Sequence, residues 1–330
     1  MRLIVGFRTV IKSNKTLRRL GKSFYVYEQY WQDAHDFSKY YVEQAEAKGD
    51  YRYSIMLLVH SLEKGMCMPD PRPFGIDKVR ALMAMLDTYS DDRKCEFEYE
   101  LGISALYAWL RYFKEHCWEN EKVFSEVKVF LNKKDKNPII TAGAKKYKPY
   151  ISPESYKVYE ELFLNRHSVR NFQNRKIERE DLEFALKCFV ETPTACNRQM
   201  CRVYYISNPD ITDLLNNVVI GIPGFNKKTV QYFVITYDLA SFAYSGERQQ
   251  GLFNAGLCTM NFINGLHAKG IGSCCLQWSN KYDQDQEVRS KIGLSESERI
   301  GIVIGAGYYL EENTIPCSVR RNIDSIFTIV

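Results

Sequence analysis

The sequence predicts an α+β sandwich in the second half of the chain, preceded by a mainly α-helical region. Apolar, β-branched runs at residues 232–237 and 300–305 are typical of buried strands. Between them, residues 247–269 form a long, largely apolar stretch that predicts a helix. Because residues 24–150 show helical periodicity and few strand signals, the two halves of the chain differ in structural class.

The first half is dominated by helical segments. The strongest are residues 54–62 and 101–110, where apolar side chains recur at helical spacing. Three prolines in the stretch 69–75 forbid a helix there and predict an extended turn. We also consider this loop a candidate lid over a binding pocket in the second half, because it carries Phe and Arg beside the prolines.

A polar stretch at residues 132–153 indicates a boundary between a mainly helical domain at 1–150 and a second domain at 151–330. In the second domain, residues 182–189 follow an acidic start and predict an amphipathic helix. Residues 203–206 then read as a strand. This alternation of helix and strand supports the sandwich.

Composition restricts the class of protein. The chain has 330 residues, of which 45% are apolar and 26% charged, as in soluble globular proteins. No apolar run approaches the roughly 20 residues that cross a bilayer, so a membrane-spanning protein is not expected. The ten cysteines include no CxxC pair and no zinc-ligand spacing. We expect reduced thiols, no metal site and a cytoplasmic location.

Most of the net charge of +5 lies near the start of the chain. The basic residues that precede the first acidic residue, Glu28, are Arg2, Arg8, Lys12, Lys15, Arg18, Arg19 and Lys22. We interpret this arm as a solvated or interface-forming helix. The alternatives for a basic amphipathic arm are an anionic membrane surface or nucleic acid. Of these we expect at most weak membrane contact and no nucleic-acid partner.

Two arginines and a serine lie within five residues in the segment 165–172. Alternating side chains there can converge on one phosphate, because guanidinium groups make charge-assisted hydrogen bonds and the hydroxyl adds another. Taken alone, the cluster is better interpreted as a surface turn. A second segment, 191–199, follows one helix later, and its Asn197 and Gln199 supply amide groups that suit the uracil-like edge of a flavin. Taken alone, it is a capped helix-to-strand turn.

Three motifs in this order resemble the nitroreductase family. They are Arg-His-Ser-x-Arg at 166–170, Pro-Thr-Ala-x-Asn-x-Gln at 193–199, and the glycine-containing segment 270–276 after the long apolar helix. The resemblance runs from about residue 155 to the C-terminus, and the first two motifs are its specific part. It implies a three-layer sandwich with a mixed, mainly antiparallel sheet flanked by helices. It also implies a homodimer with FMN at the subunit interface.

The resemblance implies which residues bind FMN. The phosphate and ribityl chain would be held by Arg166, His167, Ser168 and Arg170, with Arg320 or Arg321 returning to the phosphate. The residues that reach the flavin from the partner subunit would be Pro193, Thr194, Asn197 and Gln199. The isoalloxazine would lie along Cys275, Leu276, Gln277 and Trp278. In the long helix, Asn254 is expected to reach the ribityl chain of the other subunit.

The chain also departs from the family pattern. Thr194 stands where members usually carry Ser, and Met200-Cys201 stands where many carry Pro-Trp, which alters the wall beside the cofactor. Residues 221–228 match no pattern that assigns them a role, so substrate contacts there stay open.

The activity implied by the resemblance is an FMN-dependent oxidoreductase with ping-pong hydride transfer through flavin N5. A reduced nicotinamide, NADH or NADPH, or another donor would supply the hydride, and a small organic molecule would accept it. No catalytic side chain is expected, since the cofactor carries the chemistry. We interpret His167 as a ribityl contact. The alternative function is a flavin-binding or fold-only interaction module of a membrane-surface or biosynthetic assembly.

One local feature of the first half concerns metal binding and helix capping. His60 and Glu63 lie about one helical turn apart, but two ligands alone do not predict a metal site. We expect Lys64 and Gly65 to form a capped helix end instead.

Overall fold

A computed structural model describes residues 15–89, 93, 96–134 and 138–330. Arg2, Arg8 and Lys12 of the basic arm lie outside these residues. The helices of the described residues are α1 (Lys15–Tyr40), α2 (Val42–Glu46), α3 (Arg52–Met66), α4 (Ile76–Asp87), α5 (Phe97–Glu115), α6 (Lys122–Lys134), α7 (Ser155–Asn165), α8 (Arg179–Val190), α9 (Pro209–Val218), α10 (Gln250–Ala268) and α11 (Tyr282–Ile292). The strands are β1 (Cys201–Ile206), β2 (Gln231–Asp238), β3 (Ile271–Leu276) and β4 (Glu298–Tyr308).

The four strands form one sheet in the order β1-β2-β4-β3. All three strand pairs are antiparallel, and the register is interrupted by an irregularity between Ile235 and Thr236. One isolated parallel bridge joins Ser168 to Ser273 of β3. The four strands are therefore antiparallel to one another, as the predicted mainly antiparallel sheet requires, and among the described residues parallel pairing is limited to this isolated bridge.

Helices cover both faces of this sheet. On one face, Phe233 and Ile235 of β2 pack in a cluster with α8 and α10. On the other face, Tyr232 and Val234 pack in a cluster with α9 and α11. Successive side chains of a strand point to opposite faces, so a continuously apolar strand such as β2 requires cover on both. The three-layer sandwich is confirmed.

The elements predicted in the second half are present as β1, β2, β4, α8 and α10. The sequence analysis did not identify β3, α9 or α11 as regular elements. The residues of β3, Ile-Gly-Ser-Cys-Cys-Leu, include a glycine and small side chains, which have little strand preference of their own. This segment becomes a strand through its pairing with β4 along six residues.

The first half contains a helical cluster built on α3, α4, α5 and α6. Trp109 of α5 lies at its centre and is fully buried. Among the helices of the described ranges, none has the length and apolar character that crossing a bilayer requires.

The helix end predicted at Lys64 and Gly65 lies one residue later. Helix α3 ends at Met66 with Lys64 in its last turn, and Gly65 lies inside the helix instead of capping it. A Cβ atom at Gly65 would lie 2.1 Å from the ring of Phe74, so this glycine allows the loop to pack directly against α3. The carbonyl of Phe74 also accepts a hydrogen bond from Trp109 Nε1 at 3.1 Å. The aromatic residue of the proline-rich loop is thus committed to the helical cluster, which removes it from the predicted lid.

Residues of the first half also enter the core of the second. Val42, Tyr53 and Met56 belong to the cluster on the α8 and α10 face of the sheet. The Tyr53 hydroxyl donates to Asp238 at the end of β2 (3.1 Å), and the backbone N–H of Val42 donates to the Phe242 carbonyl (2.8 Å). Packing therefore does not separate at residue 150, although α3 to α6 keep a cluster of their own.

Candidate functional site

The Arg-His-Ser-x-Arg motif, residues 166–170, lies in extended backbone directly after α7 and beside β3. Val169 is buried in the core, and its N–H donates to the Ser273 carbonyl at 3.1 Å. Because side chains alternate in extended backbone, Arg166, Ser168 and Arg170 lie on the side opposite to Val169. We call residues 166–170 the arginine segment.

Arg166 contains a polar atom without a partner. Its Nε is buried and makes no hydrogen bond within the described residues. Arg170 is exposed, and its nearest polar contact is from Nη1 to the Ser168 carbonyl at 3.5 Å. A buried N–H that lacks an acceptor costs free energy, so the Nε of half-buried Arg166 favours an acceptor such as an anion.

Tyr309 and His267 lie near Arg166. The Tyr309 hydroxyl and His267 Nδ1 share a hydrogen bond of 2.9 Å. Burial lowers the pKa of His267, and the positive charge of Arg166 and the neighbouring His167 lower it further. A neutral imidazole is thereby favoured next to the arginine, which keeps additional positive charge away from it.

The segment 221–226, which matched no pattern in the sequence, lies beside the arginine segment. The N–H of Asn226 donates to the Arg170 carbonyl at 3.4 Å, and the Arg170 guanidinium lies 6.0 Å from the centre of the Phe225 ring. A Cβ at Gly221 would lie 3.7 Å from the backbone nitrogen of Gln277. Sequence reasoning missed this neighbourhood because it depends on long-range packing and carries no local signal.

The second motif, residues 193–199, forms a strained turn between α8 and β1. Cys196, Asn197 and Gln199 have positive φ angles of 52°, 52° and 49°. The left-handed region is unfavourable for side chains other than glycine, and such strain concentrates at functional sites. Pro193, Asn197 and Gln199 are exposed and Thr194 is half-buried.

Buried contacts hold the turn in this conformation. Arg198 donates to the Ala195 carbonyl (2.9 Å) and to the Ser241 carbonyl (2.5 Å), and pairs with Glu247 (2.6 Å). Thr194 Oγ1 accepts from the N–H of Gln199 at 3.0 Å. Burial alone would raise the pKa of Glu247, but hydrogen bonds from Arg198 and from backbone N–H groups outweigh it and keep the pKa low. The pair is therefore charged at neutral pH.

Asn254 does not have the predicted role. Its side chain is 1% exposed, and its Oδ1 accepts from the Ala195 N–H at 2.9 Å. Its Nδ2 donates to the Gln250 carbonyl at 2.6 Å. Both ends of the amide are thus used inside its own chain, and Asn254 supports the strained turn from α10 instead of reaching another subunit.

The two motifs of one chain lie far apart along α10. The strained turn contacts Asn254, whereas the arginine segment lies near His267. Thirteen residues of helix separate Asn254 from His267, which is about 20 Å at 1.5 Å per residue.

Residues 275–278 lie at the end of β3, the strand beside the arginine segment, and they differ in exposure. Cys275 and Gln277 are exposed, but the side chain of Leu276 is buried in the core. Trp278 is half-buried, and its Nε1 donates to Asp285 at 2.8 Å. Leu276 and Trp278 can therefore reach a ligand through their backbone more readily than through their side chains, and the expected contact of the segment with the isoalloxazine stays a prediction.

A cavity of about 320 Å³ lies between α10 and the sheet, with Cys275 in its wall. Its other lining residues are Leu252, Ala255, Gly256, Thr259, Met260, Ile263, Gly301 and Ile302. The cavity is mostly apolar, but Thr259 contributes a buried hydroxyl that has no hydrogen-bond partner among the described residues. Although Cys275 is exposed, neighbouring protein atoms and Cys274 raise the pKa of its thiol to about 11, which keeps it protonated at neutral pH.

Arg320 and Arg321 lie in the exposed C-terminal tail. Arg320 donates to the Ser318 carbonyl at 2.7 Å. Within the described part of the chain, no contact brings either arginine to the arginine segment, so their return to a phosphate stays a prediction. No group of His, Cys, Asp and Glu residues in that part has the arrangement of a metal site. Glu63, considered with His60 in the sequence, instead accepts from the Gly143 N–H at 3.1 Å.

Comparisons with known proteins bear on this half of the chain. The family model described as "Nitroreductase family" matches residues 164–229, which include both the arginine segment and the strained turn. A comparison with curated proteins gives no match.

Solved structures similar to this chain include three nitroreductases. A nitroreductase family protein from Clostridium difficile 630 has 20% identity over 51% of this chain and 95% of its own, with a TM-score of 0.43. A nitroreductase family protein from Streptococcus pneumoniae TIGR4 has 18% identity over 52% of this chain and 100% of its own, with a TM-score of 0.43. An FMN-dependent nitroreductase from Clostridium difficile R20291 has 19% identity over 48% of this chain and 91% of its own, with a TM-score of 0.40. The match to the nitroreductase family model itself covers residues 164–229 of the C-terminal half.

Proposed function

We propose that this chain is an FMN-dependent oxidoreductase that works as a homodimer with FMN at the subunit interface. The observation that carries the proposal is the buried, unpaired Nε of Arg166 within the segment that matches the family. A small organic acceptor and a reduced nicotinamide, NADH or NADPH, complete the proposed reaction. Residues 151–330 form the FMN-binding domain in this proposal, and residues 1–150 form a helical domain packed against it.

The residues present fit the phosphate of FMN. Arg166 and Arg170 have no carboxylate partner among the ion pairs of the described residues. Ser168 stands between them with a half-buried side chain. Two guanidinium groups and a hydroxyl on one side of an extended segment suit a phosphate, which accepts charge-assisted hydrogen bonds from several directions. His167, exposed beside them, is proposed to contact the ribityl chain.

The separation of the two motifs supports a site shared between chains. The arginine segment and the strained turn lie about 20 Å apart along α10, so they do not converge within one chain. A two-fold axis brings the turn of one subunit to the arginine segment of the other, as an isologous interface requires. We propose that Asn197 and Gln199 meet the flavin edge there, because no hydrogen bond of the described residues uses their side-chain amides.

The side chains have binding and positioning roles in this proposal. Bound FMN supplies the hydride chemistry, with a reduced nicotinamide as donor and a small organic molecule as acceptor. Residues 275–278 would line the flavin ring, and the mostly apolar cavity beside Cys275 would offer it an apolar wall. No side chain serves as a nucleophile in this proposal. The protonated thiol of Cys275 agrees with this, because the nucleophile of a cysteine is its thiolate. The nine described cysteines are all free, which supports the proposed cytoplasmic location.

Cofactor analysis tests the first part of the proposal. The purified full chain is expected to show visible flavin absorption, and the released cofactor is expected to be FMN. Arg166→Ala removes a charged hydrogen-bond donor worth roughly 1.5–3 kcal/mol, so FMN affinity is expected to fall by about one to two orders of magnitude. Arg111→Ala, which removes an exposed arginine from α5, is the matched control and should retain FMN. A colourless protein that does not take up FMN contradicts the proposal.

Subunit mixing tests whether the site is shared. Arg166→Ala disables one half of each site, and the double variant Asn197→Ala with Gln199→Ala disables the other half. If the halves come from different chains, a mixed dimer regains one complete site, and mixing two inactive preparations restores NADH- or NADPH-dependent reduction of a quinone or nitroaromatic. If mixing restores nothing although the subunits exchange, the two motifs do not serve one shared site.

The same assay separates an enzyme from an interaction module. Steady-state oxidation of NADH or NADPH in the presence of an acceptor is expected for the wild-type chain. Bound FMN without turnover with any donor would favour the module.

A further inference from the structure

Two buried cysteines line one small cavity beside the strained turn. Cys201 begins β1 and is 8% exposed, and Cys258 lies in α10 and is 1% exposed. Both belong to the same core cluster. The cavity has a volume of about 90 Å³, and its other lining residues are Phe189, Val190, Thr192, Thr194 and Gln199. The two thiols are therefore neighbours in the fold, although they lie on a strand and a helix that are distant in the sequence.

The two thiols also interact with each other. A hydrogen bond from Cys201 lowers the pKa of Cys258 and raises the pKa of Cys201 itself, while burial acts upward on both thiols. One sulfur of the pair is thereby favoured as a thiolate, and the other as its hydrogen-bond donor. Peroxides react with the thiolate form of cysteine, so Cys258 is the better nucleophile of the two.

The cavity gives a small oxidant access to this pair. Val190 and Gln199 in its wall are exposed, so the cavity opens to solvent. A water molecule takes up about 30 Å³ in the liquid, so a molecule of the size of hydrogen peroxide fits inside. Thr192 and Thr194 add polar side chains to a wall that otherwise contains Phe189 and the two cysteines.

The pair joins the two elements that hold the strained turn. Cys201 follows Gln199 by two residues, at the start of β1. Cys258 lies one helical turn after Asn254, whose side chain accepts from the Ala195 N–H at 2.9 Å. Residues four apart lie on the same face of a helix, so Cys258 and Asn254 both face the turn. A bond between the two sulfur atoms therefore connects β1 to α10 next to this turn.

We propose that Cys201 and Cys258 are a peroxide-oxidised pair that forms a disulfide between β1 and α10. The Cys258 thiolate attacks one oxygen of hydrogen peroxide, the O–O bond breaks, and the other oxygen takes up a proton and leaves as water. Cys258 is then a sulfenic acid. The Cys201 thiol attacks its sulfur, so that the S–S bond forms, the S–O bond breaks, and a second water leaves with the thiol proton.

The two cysteines together lose two electrons and two protons, and one peroxide is reduced to two waters. In cytoplasmic proteins a disulfide of this kind senses oxidants. The proposal goes beyond the proposed FMN-dependent activity and does not depend on it, since the oxidant is added peroxide and both thiols belong to one chain.

Peptide mapping of the folded full chain tests the proposal. Reduced protein is freed of reductant and treated with hydrogen peroxide, the remaining thiols are alkylated, and proteolytic peptides are identified by mass spectrometry. Two peptides joined through Cys201 and Cys258 are expected, with the mass of two hydrogen atoms lost and with separation on reduction. Their absence, while the exposed Cys67 and Cys317 are oxidised, overturns the proposal. So does a link that forms only in urea, because the fold then does not bring the two sulfur atoms together.

Single variants test the role of each sulfur. Cys201→Ser is expected to stop at the sulfenic acid of Cys258, which dimedone labels, whereas Cys258→Ser should leave Cys201 unlabelled. Labelling of Cys201 instead would overturn the assigned order of steps. Cys188→Ser removes a half-buried thiol from α8 and is the matched control, which should form the link as the wild type does. Circular dichroism reports whether each variant folds.

Urea denaturation gives a readout that does not use mass spectrometry. The oxidised wild-type chain is expected to unfold at a higher urea concentration than the reduced chain, because the new bond closes a loop and restricts the unfolded state. Neither Cys201→Ser nor Cys258→Ser should show this shift after peroxide treatment. An equal shift in either variant contradicts the assignment of the bond. All these measurements can be made without FMN, so their failure is distinguishable from failure of the proposed function.

Discussion

At the scale of residues, the strained turn depends on one buried arginine. The side chain of Arg198 has no exposed surface, and it links the Ala195 carbonyl, the Ser241 carbonyl and Glu247. These contacts compensate for three residues in left-handed backbone. The exposed positions of Asn197 and Gln199 therefore depend on a buried neighbour, Arg198.

Glu247→Gln tests the strength of this support. Arg198 is fully buried, so removing the charge of half-buried Glu247 leaves it without its counter-ion, and the free energy of unfolding is expected to fall by about 1–3 kcal/mol. Glu126→Gln breaks the exposed pair of Glu126 with Arg80 and should leave stability nearly unchanged. Urea denaturation measures both. Equal effects of the two substitutions contradict the structural role assigned to Arg198.

His267 predicts a dependence of stability on pH. Its pKa is lowered in the folded protein, first by burial and then by Arg166 and His167, so the unfolded chain binds more protons. The free energy of unfolding is therefore expected to fall as pH drops below the ordinary histidine pKa of about 6.5 towards the folded value. His60, whose pKa is also lowered, contributes in the same direction.

The variant His267→Gln isolates the contribution of this residue. Urea unfolding at several pH values should show a smaller loss of stability on acidification than in the wild type. An identical pH dependence in the two proteins would show that His267 is not buried as a neutral group near Arg166.

At the scale of elements, close helix contacts place the functional segments. Helix α10 supports the strained turn through Asn254 and passes near the arginine segment at His267. In the first half, the proline-rich loop is fixed to α3 because Gly65 leaves room for the Phe74 ring. Both contacts depend on a small or polar residue inside a helix, Gly65 in α3 and Asn254 in α10. Helix propensity by itself does not favour either residue type there.

Gly65→Ala is expected to destabilise the protein by about 1–3 kcal/mol, because the new Cβ overlaps the Phe74 ring. Gly21→Ala is the matched control, since Gly21 also lies in a helix but a Cβ there meets nothing within 4 Å. That substitution should stabilise the helix by about 0.5–1 kcal/mol, as alanine is the better helix former. Chemical denaturation of the two variants measures the difference. A stabilising effect at Gly65 would contradict the described packing of the loop.

At the scale of the whole molecule, the helical first half and the sandwich share a core. Val42, Tyr53 and Met56 pack against α8, α10 and the sheet. The Tyr53 hydroxyl also contacts the buried carboxylate of Asp238. Cutting the chain at residue 150 would therefore expose part of the sandwich core as well as remove the helical cluster.

Unfolding of the full chain is accordingly expected to follow a single transition, with circular dichroism and tryptophan fluorescence changing together. Tyr53→Phe removes one hydrogen bond to the buried carboxylate of Asp238. The free energy of unfolding measured over that single transition is therefore expected to fall by about 1–3 kcal/mol. Two separate transitions, with only one of them shifted by the variant, would indicate that the two halves fold independently.

The sequence by itself determined the features that local patterns encode. Periodicity located β1, β2, β4, α8 and α10, because a strand or helix with an apolar face leaves its period in the chain. The residue types of the arginine segment taken alone predicted a surface turn; only together with the two later motifs did they predict a phosphate site, and that role stays a prediction. The family match at 164–229 agrees with both motifs.

Only the tertiary structure decided how these features meet. It made β3 a strand by pairing with β4, used Asn254 inside its own chain, and placed 221–226 beside Arg170. It also put Tyr53 into the core of the other half. Each of these outcomes depends on contacts between residues distant in the chain, whose free energy comes from burial and hydrogen bonding at positions where the local sequence has no preference.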